Sequence, residues 1–466
     1  MIQIDIKTLC EVLGVRCPAG CEGLQAAGVS IDSRTVGRGQ VFFALKGERF
    51  DGGNFVKEAF EKGAVCAVAE NDIPAAGGPI VRVDDTVAAL GILAAWYRKQ
   101  LSGRVVAITG SVGKTTTRSI LYQILRQRFR CRQAVRSFNN QIGVPLTILS
   151  ARQDDQVLLL ELGTNHPGEI GYLTRIARPD IALVTYVGPA HLEGFGSVGK
   201  IIVEKLSIAD GLADGGVLIV NGDQPEVVEH LKRGRRRFVS FGLADDCDVR
   251  AEEMSLGADG GYMTLAGRRI FVPLAGGAGL CNALAAWAVC RQLGLSQDEF
   301  EKGCAGLEPV SMRCVVRRLG GCVLIDDCYN ANPISMENAL ECLRLLGQKH
   351  PGRGVFAAGT MAELGAEAKR MHFELGEKAC QAGVGLLLAT GAFASDIVGG
   401  AIAAGLEETN CKRFADTDLL CDNLHRFVLP DDIILVKGSR VAGLEKAVRV
   451  LEELFSRQAG RNEAKT

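Results

Sequence analysis

The residues with the most informative chemistry lie in a glycine-rich stretch that contains the pattern Gly-x-x-Gly-Lys-Thr at residues 110–115. Gly110 and Gly113 allow a tight turn in which backbone N–H groups point to one place, where a phosphate can bind. Lys114 can neutralise the outer phosphates of a nucleotide, and the Thr115 hydroxyl can bind the magnesium ion that accompanies them. The pattern therefore predicts a nucleotide phosphate site made of Gly110, Ser111, Val112, Gly113, Lys114, Thr115 and Thr116.

The elements around this stretch have the order that a phosphate-binding loop requires. Residues 105–108 form an apolar run typical of a buried strand, and after the loop apolar residues recur at helical spacing, at Ile120, Leu121, Ile124 and Leu125. The first glycine of the general P-loop pattern would fall at Ile108, so the spacing here is shorter. A glycine-rich turn with a surface lysine is the alternative. The strand before and the helix after favour the nucleotide site.

Three more polar residues lie where predicted elements could direct them to the same chemistry. Glu161 ends the apolar strand 157–160, a position suited to a magnesium ligand, although a carboxylate paired with an arginine would also fit there. His191 follows the predicted strand 181–185 in a glycine-rich loop, at the edge where α/β sheets bind ligands, although a single histidine is often structural. Lys205 lies in an otherwise apolar helical segment, where a lysine needs a special reason to be buried.

Composition limits the class of protein. The chain has 466 residues, of which 47% are hydrophobic, and a net charge of -1, so it fits a globular α/β enzyme with no overall bias towards nucleic acid or an anionic membrane. The basic run 232–237 has no interleaved aromatic residues and fits a solvated turn. Most of the sixteen cysteines lie in apolar runs, as reduced thiols do, and no apolar run is long enough for a membrane span. We therefore expect a cytoplasmic protein.

The length of the chain predicts about three domains. Residues 1–100 read as a small α/β domain, in which Ser33 and Arg34 could hold a phosphate or simply form a surface turn. Residues 103–308 carry the P-loop and a mostly parallel sheet, and end with a predicted helix at 282–293. Residues 311–456 alternate strands and helices as in a Rossmann-like, doubly wound sheet, and residues 457–466 read as a frayed polar tail.

With these stretches in order, nearly the whole chain resembles the ATP-dependent Mur ligases of peptidoglycan synthesis. The resemblance rests on the P-loop stretch and on FNNQIGVPLT (138–147), ELGTNHPGEI (161–170), DDCYNANP (326–333) and VKGSR (436–440). It is strongest to the type that adds D-alanyl-D-alanine to UDP-N-acetylmuramoyl-tripeptide (UDP-MurNAc-tripeptide). The implied fold has a UDP-sugar-binding domain, a central ATPase domain and a Rossmann-like domain that brings the amino substrate.

The resemblance also implies a reaction and roles for its participants. ATP would phosphorylate the carboxylate of the tripeptide, and the amine of D-alanyl-D-alanine would attack the acyl phosphate. Lys114 would neutralise the γ-phosphate, while Thr115 and Glu161 would hold one Mg²⁺ and His191 a second. Lys205 occupies the position at which the family has a carbamylated lysine that helps to bind the second metal. The resemblance therefore implies that Lys114, His191 and Lys205 are catalytic residues.

Other residues are implied to bind the substrates of a monomeric enzyme. Arg313 and Asp327 would contact the nucleotide, and Ser33 and Arg34 the uridine diphosphate. The remaining candidates for substrate binding are Asn139 and, on the D-alanyl-D-alanine side, Asn330, Asn332, Lys437 and Ser439.

Several family positions carry other residues in this chain. The family's His and Asn beside the ATP nucleoside fall within residues 276–280, which read Gly-Gly-Ala-Gly-Leu. A Glu is replaced by Ser207, an Asn by Tyr186, a Pro-Gly pair by Ser311 and Met312, and an Asp by Thr360. These departures leave two alternatives open, a Mur-like ligase for another carboxylate and a non-catalytic nucleotide-binding paralogue.

Overall fold

The computed structural model describes residues 1–21, 23–47, 50–74, 76–135, 138–257 and 260–463, with side chains to residue 456. The strands are β1 (Ile4–Asp5), β2 (Gln25–Ala26), β3 (Val29–Ser30), β4 (Val41–Phe43), β5 (Lys46–Gly47), β6 (Phe50–Asp51), β7 (Cys66–Ala69), β8 (Ile80–Arg82), β9 (Arg104–Thr109), β10 (Cys131–Gln133), β11 (Val157–Glu161), β12 (Ile181–Val184), β13 (Val217–Asn221), β14 (Val239–Gly242), β15 (Val249–Arg250), β16 (Glu253–Leu256), β17 (Gly261–Leu265), β18 (Arg268–Val272), β19 (Val315–Leu319), β20 (Cys322–Asp326), β21 (Gly354–Ala358), β22 (Val384–Thr390), β23 (Cys411–Phe414) and β24 (Ile433–Lys437).

The α-helices are α1 (Ile6–Leu13), α2 (Val56–Glu61), α3 (Thr86–Arg98), α4 (Lys114–Leu125), α5 (Gly143–Ser150), α6 (Glu169–Ala177), α7 (Leu192–Phe195), α8 (Val198–Leu206), α9 (Pro225–Arg233), α10 (Gly276–Gln292), α11 (Gln297–Ala305), α12 (Pro333–Gly347), α13 (Ala368–Gln381), α14 (Ala394–Ala403), α15 (Thr417–Phe427) and α16 (Glu445–Glu463). None of the helices in these described ranges is long and apolar enough to cross a membrane.

The chain forms two compact units. Unit 1 comprises Met1–Thr109, Leu125–Leu183 and Glu204–Leu218, and unit 2 comprises Gly110–Ile124, Val184–Val203 and Ile219–Thr466. The three-domain boundaries expected from the sequence stay a prediction.

In unit 1, β3-β4-β7-β8 form a parallel sheet near the N-terminus. Strands β10-β11-β9-β12 follow one another in a second sheet, in which β11 pairs in parallel with β9. The register of that pair sets Glu161 beside Ile108, next to the end of the strand that leads into the P-loop. The carboxyl end of this strand pair therefore holds Glu161, one of the residues that the sequence assigned to metal binding.

Unit 2 contains a large six-stranded sheet, of order β19-β20-β24-β21-β22-β23. Strand β19 pairs antiparallel with β20, and the other pairs are parallel. Two apolar clusters cover its faces, one including Phe356 and Leu435 and the other Leu388 and Val436. The fold is thus mixed α/β with mostly parallel sheets, as the sequence predicts.

The structure differs from the expected elements in three places. Strands β16, β17 and β18 form a separate antiparallel sheet that the sequence did not indicate. Helix α10 begins at Gly276, six residues before the predicted start at 282, because residues 276–280 bury Leu280 as its first turn. Helix α16 continues to Glu463, into the segment expected to be a frayed tail, and residues 464–466 lie outside the described residues.

Candidate active site

The P-loop has the geometry of a phosphate cradle. Gly110 and Gly113 have φ angles of 146° and 87°, which residues with a side chain rarely adopt. The helix α4 begins directly afterwards at Lys114, so its N–H groups and partial positive charge face the loop. The Lys114 ammonium folds back and donates to the Gly110 carbonyl at 2.6 Å, where it stands over the cradle.

The loop is held from the side by residues 185–188. Ser111 N–H donates to the Tyr186 carbonyl at 2.6 Å, and the Ser111 hydroxyl donates to the Gly188 carbonyl at 2.9 Å. The Thr185 hydroxyl donates to the Val112 carbonyl at 2.6 Å. Tyr186 occupies a position where the family has Asn. It contacts the loop through its backbone carbonyl, so this contact does not depend on the type of side chain.

Glu161 is buried, with 2% of its surface exposed. The Asn139 amide donates to its Oε1 at 3.0 Å, and Asn139 in turn accepts the Gly163 N–H through its carbonyl at 2.8 Å. Asn139 thus orients the Glu161 carboxylate. Its predicted role in substrate binding remains a prediction.

Lys205 is also buried, with 2% of its surface exposed, near the end of α8. The preceding residue, Glu204, accepts N–H groups of Gly168 at 2.7 Å and Ile170 at 2.8 Å, at the start of α6. A carboxylate is favoured there by the partial positive charge of a helix N-terminus. Glu204 therefore fixes the position of α8, and with it Lys205.

His191 lies in a loop-to-loop contact within unit 2. Its Nδ1 pairs with the carboxylate of Glu363, and the Glu193 N–H donates to the Glu363 carbonyl at 3.2 Å. Both His191 and Glu363 have positive φ angles, of 55° and 61°. Two non-glycine residues in this region indicate a constrained contact, and such constraints cluster at functional sites. No role for Glu363 was expected from the sequence.

A second polar group lies at the carboxyl edge of the large sheet. Lys437 Nζ donates to Asp327 Oδ2 at 2.6 Å and to the Asn330 carbonyl at 3.1 Å, and the lysine is 1% exposed. Burial raises the pKa of Asp327, and the Lys437 ammonium and the Arg313 guanidinium oppose that shift. Asn330 enters this cluster through its backbone carbonyl.

Arg313 lies over the ring of Tyr329, 4.4 Å from its centroid. Its neighbours Met312 and Cys314 both have positive φ, of 60° and 52°, and Cys314 N–H donates to Asp327 Oδ1 at 3.1 Å. Arg313 and Asp327 are therefore brought together, and their contact with a nucleotide stays a prediction. Met312 adopts left-handed backbone at a position where the family has glycine.

Asn332 links the large sheet to the P-loop. Its Oδ1 accepts the Ser335 N–H at 2.9 Å and so caps α12, while its Nδ2 donates to the Ser111 carbonyl at 3.5 Å. The Gly188 backbone also packs closely against the Ile334 side chain, because a Cβ on Gly188 would lie 2.0 Å from Ile334 Cδ1. The phosphate cradle and the loop that starts α12 are thus adjacent within unit 2.

Among the remaining predicted substrate residues, the side chains of Ser33 and Arg34 are engaged by neighbours. The Ser33 hydroxyl donates to Glu58 at 2.8 Å. The Arg34 guanidinium donates to both oxygens of Asp32, at 2.9 Å and 2.7 Å, and these bonds lower the pKa of Asp32 to about 2. Ser439 is 1% exposed, and its hydroxyl has no hydrogen-bond partner among the described residues.

Comparison with known proteins identifies the family. Three family models match the chain: the Mur ligase family catalytic domain at residues 25–98, the Mur ligase middle domain at 108–290, and the Mur ligase glutamate ligase domain at 312–440. The chain is also 35% identical to UDP-N-acetylmuramoyl-tripeptide--D-alanyl-D-alanine ligase of Escherichia coli, over 97% of this chain and 99% of that protein. The chain belongs to the Mur ligase family.

Solved structures of Mur ligases agree with this assignment. MurF from Acinetobacter baumannii superposes with a TM-score of 0.87 at 30% identity and covers 98% of this chain and 99% of its own. MurF from Thermotoga maritima, solved in complex with ADP, gives a TM-score of 0.79 at 29% identity over 93% of this chain and 99% of its own. The family and the α/β fold predicted from the sequence are therefore confirmed.

The Mur ligase pattern is altered on the nucleoside side. Residues 276–280 form the first turn of α10 and offer no polar side chain, and Leu280 is fully buried. The residues predicted to bind phosphate include Gly110 and Gly113, which have the positive φ angles of a tight loop, and Lys114, which folds back onto the Gly110 carbonyl. Sequence reasoning missed Glu204, Glu363 and Tyr329, whose partners are distant in the chain.

Proposed function

We propose that this protein is a MurF-type ligase that joins D-alanyl-D-alanine to UDP-MurNAc-tripeptide, with release of ADP and phosphate. The observation that carries the proposal is the hydrogen bond from Asn332 to the Ser111 carbonyl. It joins the phosphate cradle to the polar edge of the large sheet, so that a phosphorylated acid and an incoming amine could meet. The relative from Escherichia coli, named for this reaction, supports it.

In the first step the tripeptide carboxylate attacks the γ-phosphorus of ATP, which forms an acyl phosphate and expels ADP. The N–H groups of residues 110–115 would hold the phosphates. Lys114 would leave the Gly110 carbonyl and follow the charge that moves to the leaving oxygen. The match to MurF solved with ADP supports ATP as the nucleotide.

In the second step the amine of the dipeptide attacks the acyl carbon. A tetrahedral intermediate forms, phosphate leaves, and the nitrogen gives up a proton as the amide forms. Arg313 and Asp327 would contact the nucleotide, while Asn330, Asn332 and Ser439 would lie on the dipeptide side. Ser33, Arg34 and Asn139 would serve the UDP-MurNAc-tripeptide.

The donor set fits Mg²⁺, because the Glu161 carboxylate and the Thr115 hydroxyl offer oxygen atoms, and both residues are buried. Mg²⁺ would supply neutralisation of the phosphate charge. Thr115 and Glu161 would hold one ion, and His191 with Lys205 a second. Burial of Lys205 supports its carbamylation, which would replace a buried cation with an anion.

We also propose a cytoplasmic monomer. None of the sixteen cysteines, all of which lie in the described ranges, forms a disulfide bond. Thiols of this kind fit a reducing compartment. Light scattering of the purified protein would test the monomeric state.

The test is phosphate release from ATP and Mg²⁺, with UDP-MurNAc-tripeptide and D-alanyl-D-alanine added singly and together. Sustained release that requires both substrates is the expected result. Binding of ATP with no release under any of these conditions would instead favour a non-catalytic paralogue, the alternative motivated by residues 276–280. Release with another acid and amine would favour a Mur-like ligase for a different carboxylate.

Lys114→Ala provides the site-specific version of this test. Loss of one cationic contact to the transferring phosphate should lower turnover by about 100-fold or more. Lys302→Ala is the matched control, since Lys302 is an exposed lysine on α11. Circular dichroism would verify that both variants fold.

A further inference from the structure

Lys437 was expected to bind the dipeptide, but its ammonium is occupied by the protein. It donates to Asp327 Oδ2 at 2.6 Å, to the Asn330 carbonyl at 3.1 Å and to the Asp327 carbonyl at 3.4 Å. An ammonium has three N–H donors, so these acceptors use all of them. Lys437 therefore acts as a support beneath the 327–330 loop, and another cation is needed to meet a substrate carboxylate.

Two arginines contact the ring of Tyr329, in the loop that Lys437 supports. Arg313 lies 4.4 Å and Arg440 5.9 Å from the centroid of its ring, within the range of a cation–π contact. The ring thus restricts two guanidinium groups to the carboxyl edge of the large sheet, where open α/β folds bind ligands.

The two arginines differ in their surroundings. Arg313 faces Asp327, where its charge opposes the rise in the pKa of Asp327 that burial causes, and it is already expected to contact the nucleotide. Arg440 is more open: its side chain is 58% exposed, and the carboxylate that faces it, Glu445 Oε1, lies 3.7 Å from Nη1. That separation is longer than a hydrogen bond. The Arg440 fork can therefore receive an anion with little cost in broken contacts.

The amino substrate of the proposed reaction is a dipeptide that ends in a carboxylate. Removing that charge from water without a cationic partner would be costly. A guanidinium can donate two parallel N–H bonds to a carboxylate, which an ammonium cannot do. Arg440 also follows directly after Lys437, Gly438 and Ser439, the segment assigned to the amino substrate.

We propose that Arg440, held against the ring of Tyr329, binds the terminal carboxylate of the amino substrate. This assignment rests on the proposed function, because it takes a dipeptide as that substrate. It places the specificity for a free carboxyl end on Arg440 and leaves Lys437 with a structural role.

The first experiment compares Arg440→Gln with wild type in steady-state kinetics. The KM for D-alanyl-D-alanine should rise by about 10- to 100-fold, as expected for loss of a charged hydrogen-bonding partner, while the KM for ATP changes less than about twofold. Arg344→Gln is the matched control, because Arg344 is a half-exposed arginine of α12 that pairs with Glu341 on the same helix. The KM of Arg440→Lys for D-alanyl-D-alanine should fall between those of wild type and Arg440→Gln, since lysine keeps the charge but lacks the forked guanidinium group.

The second experiment changes the substrate in place of the protein. D-alanyl-D-alaninamide has a neutral carboxamide where the dipeptide has a carboxylate. Wild type should prefer the acid by about 10-fold or more, and Arg440→Gln should use the acid and the amide equally. A variant that keeps the preference of wild type would overturn the proposal, as would a rise in the KM for ATP without one for the dipeptide.

Two further variants test the role of the ring. Tyr329→Phe keeps the aromatic face and should retain the preference for the acid, whereas Tyr329→Leu should weaken it. Tyr262→Leu is the matched control, because Arg269 lies 4.0 Å from the Tyr262 ring on the antiparallel sheet β16–β18. If Tyr329→Phe and Tyr329→Leu show the same preference for the acid, the Tyr329 ring does not position Arg440.

Direct binding separates this proposal from the proposed function. Calorimetry of wild type and Arg440→Gln with the dipeptide, in the presence of a non-hydrolysable ATP analogue and UDP-MurNAc-tripeptide, needs no turnover. If wild type shows no ligase activity but binds the dipeptide through Arg440, the proposed function fails and the carboxylate site stands. If neither protein binds the dipeptide, the carboxylate site is wrong.

Discussion

Buried hydroxyl groups differ in how they are paired. Thr174, in unit 1, is fully buried and donates to the Ile208 carbonyl at 2.6 Å. Thr390, at the end of β22, is 2% exposed, and its hydroxyl has no hydrogen-bond partner among the described residues. The same substitution should therefore have opposite effects at the two sites.

Thr→Val keeps the shape of the side chain and removes the hydroxyl. Thr174→Val should lower the free energy of unfolding by about 1–3 kcal/mol, because it leaves a buried carbonyl without its donor. Thr390→Val should leave it unchanged or raise it by up to about 1 kcal/mol. Urea denaturation of both variants measures the difference. A Thr390→Val variant as unstable as Thr174→Val would show that Thr390 has a partner after all.

His372 illustrates how burial sets a protonation state. Its Nε2 accepts the Met361 N–H at 2.9 Å, and its Nδ1 donates to the Ala368 carbonyl at 2.6 Å. The ring also stacks on Phe393, with 4.4 Å between centroids. Burial lowers the pKa of His372. The neutral ring therefore supports the segment after β21 that carries Glu363.

This shift predicts how stability depends on pH. Because the pKa is lower in the folded state, the unfolded state binds more protons once the pH falls below about 6.5, the ordinary histidine value. The free energy of unfolding should therefore fall as the pH is lowered from 7.5 to 5.5, by at most about 1.4 kcal/mol per pH unit for one group. Urea denaturation across this range measures it. For His372→Gln, the free energy of unfolding should depend less steeply on pH. An unchanged dependence would show that His372 is not the group responsible.

At the scale of elements, the P-loop depends on glycine for two separate reasons. Gly113 has a φ of 87°, and a Cβ there would lie 2.3 Å from Asn282 Oδ1 on α10. Gly110 is restricted in the same way, since its Cβ would lie 2.1 Å from Thr185 Oγ1. Backbone conformation and close packing thus together define the cradle.

Gly113→Ala should weaken ATP binding by about tenfold or more, because strained backbone and a steric clash would displace the loop. Calorimetry with ATP and Mg²⁺ measures the effect. Gly199→Ala is the control, since a Cβ at this helical glycine would meet nothing within 4 Å. Adding Asn282→Gly to Gly113→Ala should recover part of the affinity, because it removes the clash and leaves the strain. Full recovery would assign the whole effect to the clash.

The same element shows why part of the fold could be predicted. Residues 105–125 combine an apolar strand, glycines and helical periodicity, which are all local signals. The antiparallel sheet β16–β18 was missed because the exposed aromatic residues Tyr262 and Phe271 stand next to buried apolar residues such as Met263 and Ile270. Successive apolar residues hide the alternation that would indicate a half-buried strand. Strand length and register there depend on pairing with neighbours, which a local pattern does not specify.

At the scale of the whole molecule, the candidate site combines residues that are far apart in sequence. Lys437 and Asp327 are 110 residues apart, Asn332 and Ser111 are 221 apart, and His191 and Glu363 are 172 apart. The sequence predicted five of these six residues individually, all except Glu363, because each of the five follows a strand or lies in a motif. Their pairing could not be predicted, since it depends on how the strands are ordered in the sheets. For this reason the sequence placed Lys437 on the dipeptide side, whereas the proposed carboxylate ligand is Arg440.

The proposed reaction passes through an acyl phosphate, and an oxygen label tests this step directly. UDP-MurNAc-tripeptide carrying ¹⁸O in the reacting carboxylate would be turned over with ATP, Mg²⁺ and D-alanyl-D-alanine. Because the carboxylate oxygen that attacks phosphorus leaves with it, the released phosphate should contain one ¹⁸O atom by mass spectrometry. Unlabelled phosphate, with one label retained in the amide and the other lost to water, would contradict the acyl phosphate.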